Sequence, residues 1–455
     1  MTIPAGIFRQ NDIRGVVGRE LTAEVARALG GGYAALLRQR GITGAVAVGR
    51  DNRPSGDALR DALVLGLTDA GVDVLDIGVV PTPLLYWSLH NLPVVGGIQI
   101  TGSHNPAEYN GFKLSLGKES VHGQEIQHLL ALIQRGAAPS GKGAVHREQV
   151  IDRYVADVAK RIGPLSRKLS IVYDCGNGAA ALVAPQLMRA LGVNATGLFC
   201  ESDGTFPNHH PDPTVPENLV DLIAAVKREG AEIGVAFDGD ADRVGVVDGR
   251  GRIIWGDHIL VLYARDVLAR TGKGQHIIFD VKCSQALPDE IAKAGGAPVM
   301  WKTGHSLIKD KMKELHAPIA GEMSGHMFFG EGYYGFDDAL YAAARLFRIV
   351  ADEGKPVADL LAGVPHFVST PEIRVDCPDD VKFDLVARAV AHYRATHDVI
   401  DVDGVRVLFG DGWGLIRASN TQPIIVTRYE ARTEQRLAEI RGEMEGWLRA
   451  QGVTV

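Results

Sequence analysis

The feature that most limits how this chain can fold is a plan it repeats three times. A short β-branched run closing in a polar, glycine-rich loop occurs at residues 45–56 (AVAVGRDNRPSG), 170–179 (SIVYDCGNGA) and 275–284 (QHIIFDVKCS). Each leads through a helix-like stretch to a small-residue turn and a second strand: AGVDVLDIG from Ala70, LGVNATGLF from Leu191 and AGGAPVMWKTGHS from Ala294. A third strand then ends in a loop dense in polar residues: VVGGIQITGSHNP from Val94, EIGVAFDGDADR from Glu232 and APIAGEMSGH from Ala317. Strands alternating with helices require crossover connections and parallel pairing. Three such copies, about 110 to 130 residues apart, predict three related mixed α/β domains in tandem.

Boundaries follow from the copies. The polar stretch RGAAPSGKGAVHRE (135–148) ends the first, the turn VDGRGR (247–252) the second and AGVPHFVSTPEI (362–373) the third. These breaks predict domains over 1–148, 149–252, 253–366 and 367–455. The last segment departs from the repeated plan, with a helix-like DDVKFDLVARAVAHYRATH, strands around 399–408, the motif RASNTQP, the strand IIVTRYEA and a closing amphipathic helix over 433–451. It reads as a smaller α+β domain. Ligands of open α/β sheets sit beyond the carboxyl ends of strands, so the loops named above are the natural site.

Composition narrows the partners. Lys plus Arg (48) against Asp plus Glu (55) leaves a net charge of -7, which provides no electrostatic footprint for nucleic acid or an anionic membrane. Any anion must be held by local groups. Cys175, Cys200, Cys283 and Cys377 are scattered without a CxxC, as in a reduced, cytoplasmic chain. Arg9, Asp12 and Arg14 interrupt the N-terminus before any apolar run of signal length, and no run of 18 uncharged apolar residues occurs, so neither secretion nor membrane spanning is expected.

Four loops carry the chemistry. FDGDADR (237–243) sets Asp238, Asp240 and Asp242 at alternate positions after an apolar strand. Carboxylates this close repel unless a cation compensates, and an oxygen-only set suits a hard divalent ion such as Mg2+. The bland alternative is a solvated acidic turn. TGSHNP (101–106) places Ser103 between Gly102 and His104 on a strand-end turn, exposed enough to act as a nucleophile or carry a phosphoryl group. GEMSGH (321–326) offers an acceptor in Glu322, a hydroxyl in Ser324 and an imidazole in His326; RASNTQP (417–423) joins Arg417 to Ser419, Asn420 and Thr421, donors suited to a phosphate. Each of these, taken alone, also reads as an ordinary polar turn. One oxygen-rich loop per domain, each with a different chemical role, is the specific signal.

In this order over about 450 residues the four loops resemble the signature loops of the α-D-phosphohexomutase superfamily, and FRQNDIRG, YNGFK (109–113) and WKTGHS (301–306) extend the likeness. TGSHNP with GEMSGH resembles the bacterial phosphomannomutase/phosphoglucomutase branch, whereas phosphoglucosamine mutases resemble SASHNP with GEQSGH. Asn11 stands where that branch often has Tyr. The resemblance implies four domains around a central cleft and interconversion of mannose or glucose 1-phosphate and 6-phosphate through a bisphosphorylated sugar. Carried over, Ser103 is a phosphoserine that holds Mg2+ together with Asp238, Asp240 and Asp242, and Arg243 and Arg14 attend its phosphate. His104 and Lys113 join it, Lys113 for proton transfer or charge stabilisation, with His326 or His305 as counterpart. Glu322 and Ser324 hold the 3- and 4-hydroxyls, leaving O2 unread. Arg417, Ser419, Asn420 and Thr421 hold the other phosphate, with Lys282 and His305 as further contacts.

The resemblance also implies glucose 1,6-bisphosphate as activator, small phosphosugars as the only partners, a monomer, and a hinge at 363–371 that lets the fourth domain swing. Three alternatives stand beside this reading: a phosphoglucosamine mutase, a metal-dependent phosphomonoesterase, and a non-catalytic phosphosugar-binding protein. The phosphomonoesterase would need a second metal, for which no second oxygen or His cluster stands out in the sequence.

Overall fold

A computed structural model describes residues 3–136, 141–420 and 422–455. The three copies fold as one topology. In the first, Val74–Val79, Ala45–Arg50 and Val94–Ile100 lie side by side in parallel, and Tyr109–Leu116 returns antiparallel along Val94–Ile100. The second repeats this with Asn194–Leu198, Ser170–Asp174, Ile233–Phe237 and the returning Val244–Asp248. The third does so with Ala297–Trp301, His276–Asp280, Ile319–Gly321 and the returning Met327–Phe329.

The returning strand is what the sequence pattern omits. A parallel neighbour needs a long crossover, whereas a short loop can only turn the chain back antiparallel. The polar loops after the third strands are such short connections. All three therefore sit at the same carboxyl edge of their sheets, where parallel strands leave their ends open to a ligand.

The first two sheets are then extended, each in its own way. Ile13–Val16 pairs antiparallel with Tyr109–Leu116, placing Arg14 opposite Gly111 and next to the TGSHNP loop. Ile253–Ile254 adds an edge to the second sheet. One continuous core joins the first three domains through Trp87, Tyr154, Val235, Leu260, Phe279 and Phe347.

The last domain is an antiparallel sheet covered by Asp379–Arg394 and Glu434–Ala450, the second helix capped where Thr433 Oγ1 accepts the N–H of Arg436. It is the smaller α+β unit expected, with its own core around Leu385, Tyr393, Ile416, Ile440 and Met444. The expected hinge is narrower than the sequence suggests. Val368–Ser369 is a strand paired with Ile424–Ala431, so the carboxyl half of 363–371 is already part of the last sheet. Val281, Trp413 and Leu415 form a small apolar seam between the third and fourth domains. Among the described residues no helix is long and apolar enough to cross a membrane.

Candidate active site

Ser103 sits in a left-handed conformation (φ 50°), a costly backbone for a side-chain-bearing residue that neighbouring bonds must hold. Its N–H donates to Thr101 Oγ1 at 2.8 Å and its carbonyl accepts from Arg53 Nη2 at 2.8 Å. Arg53 is buried and also donates to the carbonyls of Asn105, Pro106 and Tyr109. Asp51 closes the frame by accepting from Arg53 Nε (3.2 Å), Thr101 Oγ1 (2.8 Å) and the Gly102 N–H (3.1 Å). Both come from the first polar loop, GRDNRPSG, which carries no motif that would assign it a role. Nothing local marks them, because their partners lie about 50 residues away.

This frame corrects one expectation. Ser103 is not an exposed turn residue: it is 1% exposed, enclosed between its own loop and the acidic loop. Arg53→Met should therefore cost about 3–5 kcal/mol of stability, because it strands Asp51 as an unpaired buried charge and takes a donor from each of four carbonyls. Urea unfolding measures this; a loss under about 1 kcal/mol would refute the framing role.

The acidic loop faces Ser103. Asp238 Oδ1 accepts the N–H groups of Asp242 (3.0 Å) and Arg243 (3.1 Å), and its Oδ2 lies 3.1 Å from Ser103 Oγ. Ser103 Oγ is also 3.1 Å from His104 Nδ1, so its single proton serves one of the two. Lys113 Nζ pairs with Asp240 Oδ2 at 3.0 Å and with Asp242 Oδ2. Burial opposes its charge, but Asp240 and Asp242 hold Lys113 protonated well above the usual lysine range. Such a lysine stabilises charge.

One amine does not balance three acids. Ligand atoms of Asp238, Asp240 and Asp242 lie within 4.8 Å of one another, all three residues are buried, and Asp240 Oδ1 and Asp242 Oδ1 have no hydrogen-bond partner among the described residues. Burial, then Asp242 and Asp240, push the Asp238 carboxyl well above the usual range. Orphaned carboxylate oxygens of this kind fit a hard divalent cation.

The structure also assembles a second group that no motif in the sequence announces: Asp242, His326 and Asp337. Arg243 Nε donates to His326 Nε2 at 2.9 Å, so the ring proton belongs on Nδ1, which lies 3.1 Å from Asp337 Oδ2. Lys309 Nζ is 3.3 Å from Asp337 Oδ1. Burial works against it, yet Lys309, His326 and His305 hold the Asp337 carboxyl well below its usual range. Here Lys309 brings a compensating charge from the protein itself, which sets this group apart from the acidic loop. Burial, then Arg243 and Arg14, hold His104 well below the usual imidazole range.

The third loop is tied together by Glu322. Glu322 Oε1 accepts the Gly304 N–H at 2.8 Å, and Oε2 accepts from Ser324 Oγ at 3.1 Å. His305 follows Gly304, is buried, and has no hydrogen-bond partner at either ring nitrogen. Asn11 packs against Gly304.

In the last domain Arg417 Nε donates to Asp403 Oδ2 at 2.9 Å, and the same oxygen accepts the Thr303 N–H at 3.1 Å. Ser419 Oγ accepts the Gln422 N–H, Asn420 follows Ser419 in the chain, and Thr421 lies outside the described residues. Lys282 Nζ pairs with Glu372 at 3.0 Å, tying the third domain to the fourth.

That pair has a pH signature. Burial opposes it, but Lys282 and Arg374 draw the Glu372 carboxyl down to about 2. A depressed acid stabilises the fold fully above its unfolded value and loses that contribution as pH falls toward its folded value. The stability gap between the parent and Glu372→Gln should therefore shrink from pH 6 to pH 3 in urea unfolding. A gap that stays constant would exclude a charged Glu372.

Known proteins match this architecture along the whole chain. Residues 5–137, 152–251 and 255–367 match the family models described as phosphoglucomutase/phosphomannomutase, alpha/beta/alpha domains I, II and III, and residues 372–446 match the C-terminal domain of the same set. The chain is similar to the phosphomannomutase/phosphoglucomutase of Pseudomonas aeruginosa, 48% identical over 450 residues, covering 99% of this chain and 96% of the relative. It is 45% identical over 449 residues to a phosphoglucomutase of Neisseria gonorrhoeae, covering 98% and 97%. Among solved structures, a phosphoglucomutase/phosphomannomutase family protein of Burkholderia thailandensis superposes with a TM-score of 0.91 at 45% identity, covering 99% and 98%.

Proposed function

Because the chain belongs to the phosphoglucomutase/phosphomannomutase family, part of the α-D-phosphohexomutase superfamily, we propose that its four loops divide one reaction among them. The chain is an isomerase that interconverts the 1-phosphates and 6-phosphates of mannose and glucose. The observation that carries the mechanism is Ser103 Oγ lying 3.1 Å from Asp238 inside a buried acidic set with two orphaned oxygens.

In this reading Ser103 carries the phosphoryl group. It passes that group to the free hydroxyl of a hexose monophosphate, forming a bisphosphate, and takes back the phosphoryl group from the other end after the sugar turns over. The Asp238, Asp240 and Asp242 carboxylates hold a divalent cation, which we assign as Mg2+ from the oxygen-only donor set. When bound, that ion neutralises charge on the transferring group.

Lys113, Arg243 and Arg14 add fixed positive charge around the same oxygens, and His104 stays neutral beside Ser103. His305, buried beside His326 with neither ring nitrogen bonded among the described residues, holds the proton that leaves or returns to the sugar hydroxyl. Glu322 and Ser324 take the 3- and 4-hydroxyls. Arg417, Ser419, Asn420 and Thr421, with Lys282 and His305, take the phosphate that is not moving. Glucose 1,6-bisphosphate activates by restoring phosphate to Ser103.

All four loops come from one chain, which supports a monomer, and four free thiols support a cytoplasmic site. Domain limits at 148/149 and 366/367 are proposed on the breaks between the sheets, whereas the expected limit at 252/253 would part Ile253–Ile254 from the second sheet that it edges.

Glucose 1-phosphate supplied with Mg2+ and a trace of the bisphosphate tests the reaction. Glucose 6-phosphate should accumulate without inorganic phosphate; phosphate release would favour a phosphomonoesterase, and binding without turnover a phosphosugar receptor. Mannose and glucose 1-phosphates should turn over within about tenfold of each other, since a contact at O2 is worth about one ordinary hydrogen bond. Glucosamine 1-phosphate turning over best would move the chain to the phosphoglucosamine branch.

A further inference from the structure

Two cysteines far apart in every motif meet at the edge of the second sheet. Asp174 pairs with Leu198 in parallel strands, and Cys175 N donates to the Leu198 carbonyl at 3.1 Å, so both segments leave the sheet side by side. Cys175 Sγ and Cys200 Sγ are 3.6 Å apart, and both thiols are free. A disulfide needs about 2.0 Å between sulfurs, so closure asks for a shift of about 1.5 Å. Cys175 is buried while Cys200 is partly exposed, so an oxidant meets Cys200 first. The bond from Cys175, helped by Tyr173, draws the Cys200 thiol below the usual cysteine range against the effect of burial, and burial pushes the Cys175 thiol well up. One sulfur is thus reactive and the other is held in reserve.

The pair is joined by backbone to the reacting centre. Ala179 N donates to the Gly239 carbonyl at 2.9 Å, and a Cβ on Gly178 would stand 2.8 Å from that oxygen. A Cβ on Gly239 would in turn stand 2.4 Å from the Ser103 carbonyl oxygen. The cysteine loop, the acidic loop and the serine loop therefore stack main chain on main chain, with no side chain between them to absorb a shift. On the other side, Asn52, between Asp51 and Arg53, donates to the Asn177 carbonyl (2.6 Å) and to Ser202 Oγ (2.9 Å). Both cysteine-bearing segments are thereby fastened to the frame of Ser103.

We propose that Cys175 and Cys200 form a reversible disulfide with a peroxide-class oxidant, and that this bond lowers isomerase turnover. The Cys200 thiolate attacks one peroxide oxygen, the O–O bond breaks, and water leaves once the second oxygen takes a proton; Cys200 is then a sulfenic acid. Cys175 sulfur attacks that sulfur, its thiol proton goes to the departing hydroxide, and a second water leaves. Two thiols and one hydrogen peroxide thus yield one disulfide and two waters. A thiol reductant reverses the step by exchange.

The test uses the reduced full-length chain with Mg2+ and hydrogen peroxide. Intact mass should fall by two hydrogens, unreduced peptide maps should join Cys175 to Cys200, and turnover of glucose 1-phosphate should drop by about 10²-fold, since about 1 Å of displacement is felt on that scale. Dithiothreitol should restore both. Cys200→Ser should keep basal turnover within about twofold and lose both the mass change and the inhibition, whereas Cys175→Ser should leave Cys200 trappable as a sulfenic acid by dimedone. Free peptides after peroxide, or a bond to Cys283 or Cys377 instead, would overturn the site. A complete Cys175–Cys200 bond with unchanged turnover would overturn its control of the reaction. The mass readout stands without any isomerase assay, so failure of the catalytic reading would be seen separately.

Discussion

Ser103→Ala is expected to lower turnover by at least about three orders of magnitude, the scale on which removing a covalent nucleophile acts. The loss should be chemical rather than structural. The left-handed turn at Ser103 is held by its N–H on Thr101 and its carbonyl under Arg53, neither of which uses Oγ. Among the described residues Oγ hydrogen-bonds with Asp238 and His104 alone, and the same Asp238 carboxylate keeps its two backbone donors through Oδ1. Unfolding midpoints of parent and variant should therefore agree within about 1 kcal/mol. Incubation with glucose 1,6-bisphosphate should add one phosphoryl group to the parent and none to the variant by intact mass. A variant that keeps a tenth of the parent's turnover, or takes up phosphate elsewhere, would remove Ser103 from the reaction.

Chelation should be comparably severe. With EDTA the acidic loop is left with the Lys113 amine, paired to Asp240 and Asp242, against three buried carboxylates, and turnover should fall by at least about 10²-fold, returning with Mg2+. The cation should also stabilise the fold, by about 2.7 kcal/mol at one hundred times its dissociation constant, because it binds only where the loop is folded. A melting midpoint that rises with Mg2+ in the parent and much less in Asp240→Asn is the thermodynamic readout. Zn2+ should substitute poorly in a set without sulfur or imidazole ligands. Full turnover in chelator would end the cation assignment.

The four loops are legible because each is a short run whose chemistry lies within six or seven residues at a strand end. Asp238, Asp240 and Asp242 announce a cation by mutual repulsion alone. Asp337 does not announce itself: in GFDD it reads as one more acid in a turn, and its value lies in the His326 ring that a different hairpin brings to it. Lys113 is legible as a neighbour of Ser103 in sequence, yet its partners are two aspartates over 120 residues away.

By itself the sequence determined the repeated α/β plan, the count of domains and the four oxygen-rich loops at the strand ends, since periodicity, turn residues and clustered like charges are properties of contiguous chain. Tertiary structure alone decided the returning antiparallel strand of each copy, the burial of Ser103, the Asp51–Arg53 frame beneath it, the Lys282–Glu372 tie between domains, and the meeting of Cys175 with Cys200. Those contacts join residues whose separation along the chain carries no local pattern. A buried ion pair or a thiol pair leaves no periodic trace, because its energy arises only once folding has removed water from both partners and fixed the distance between them.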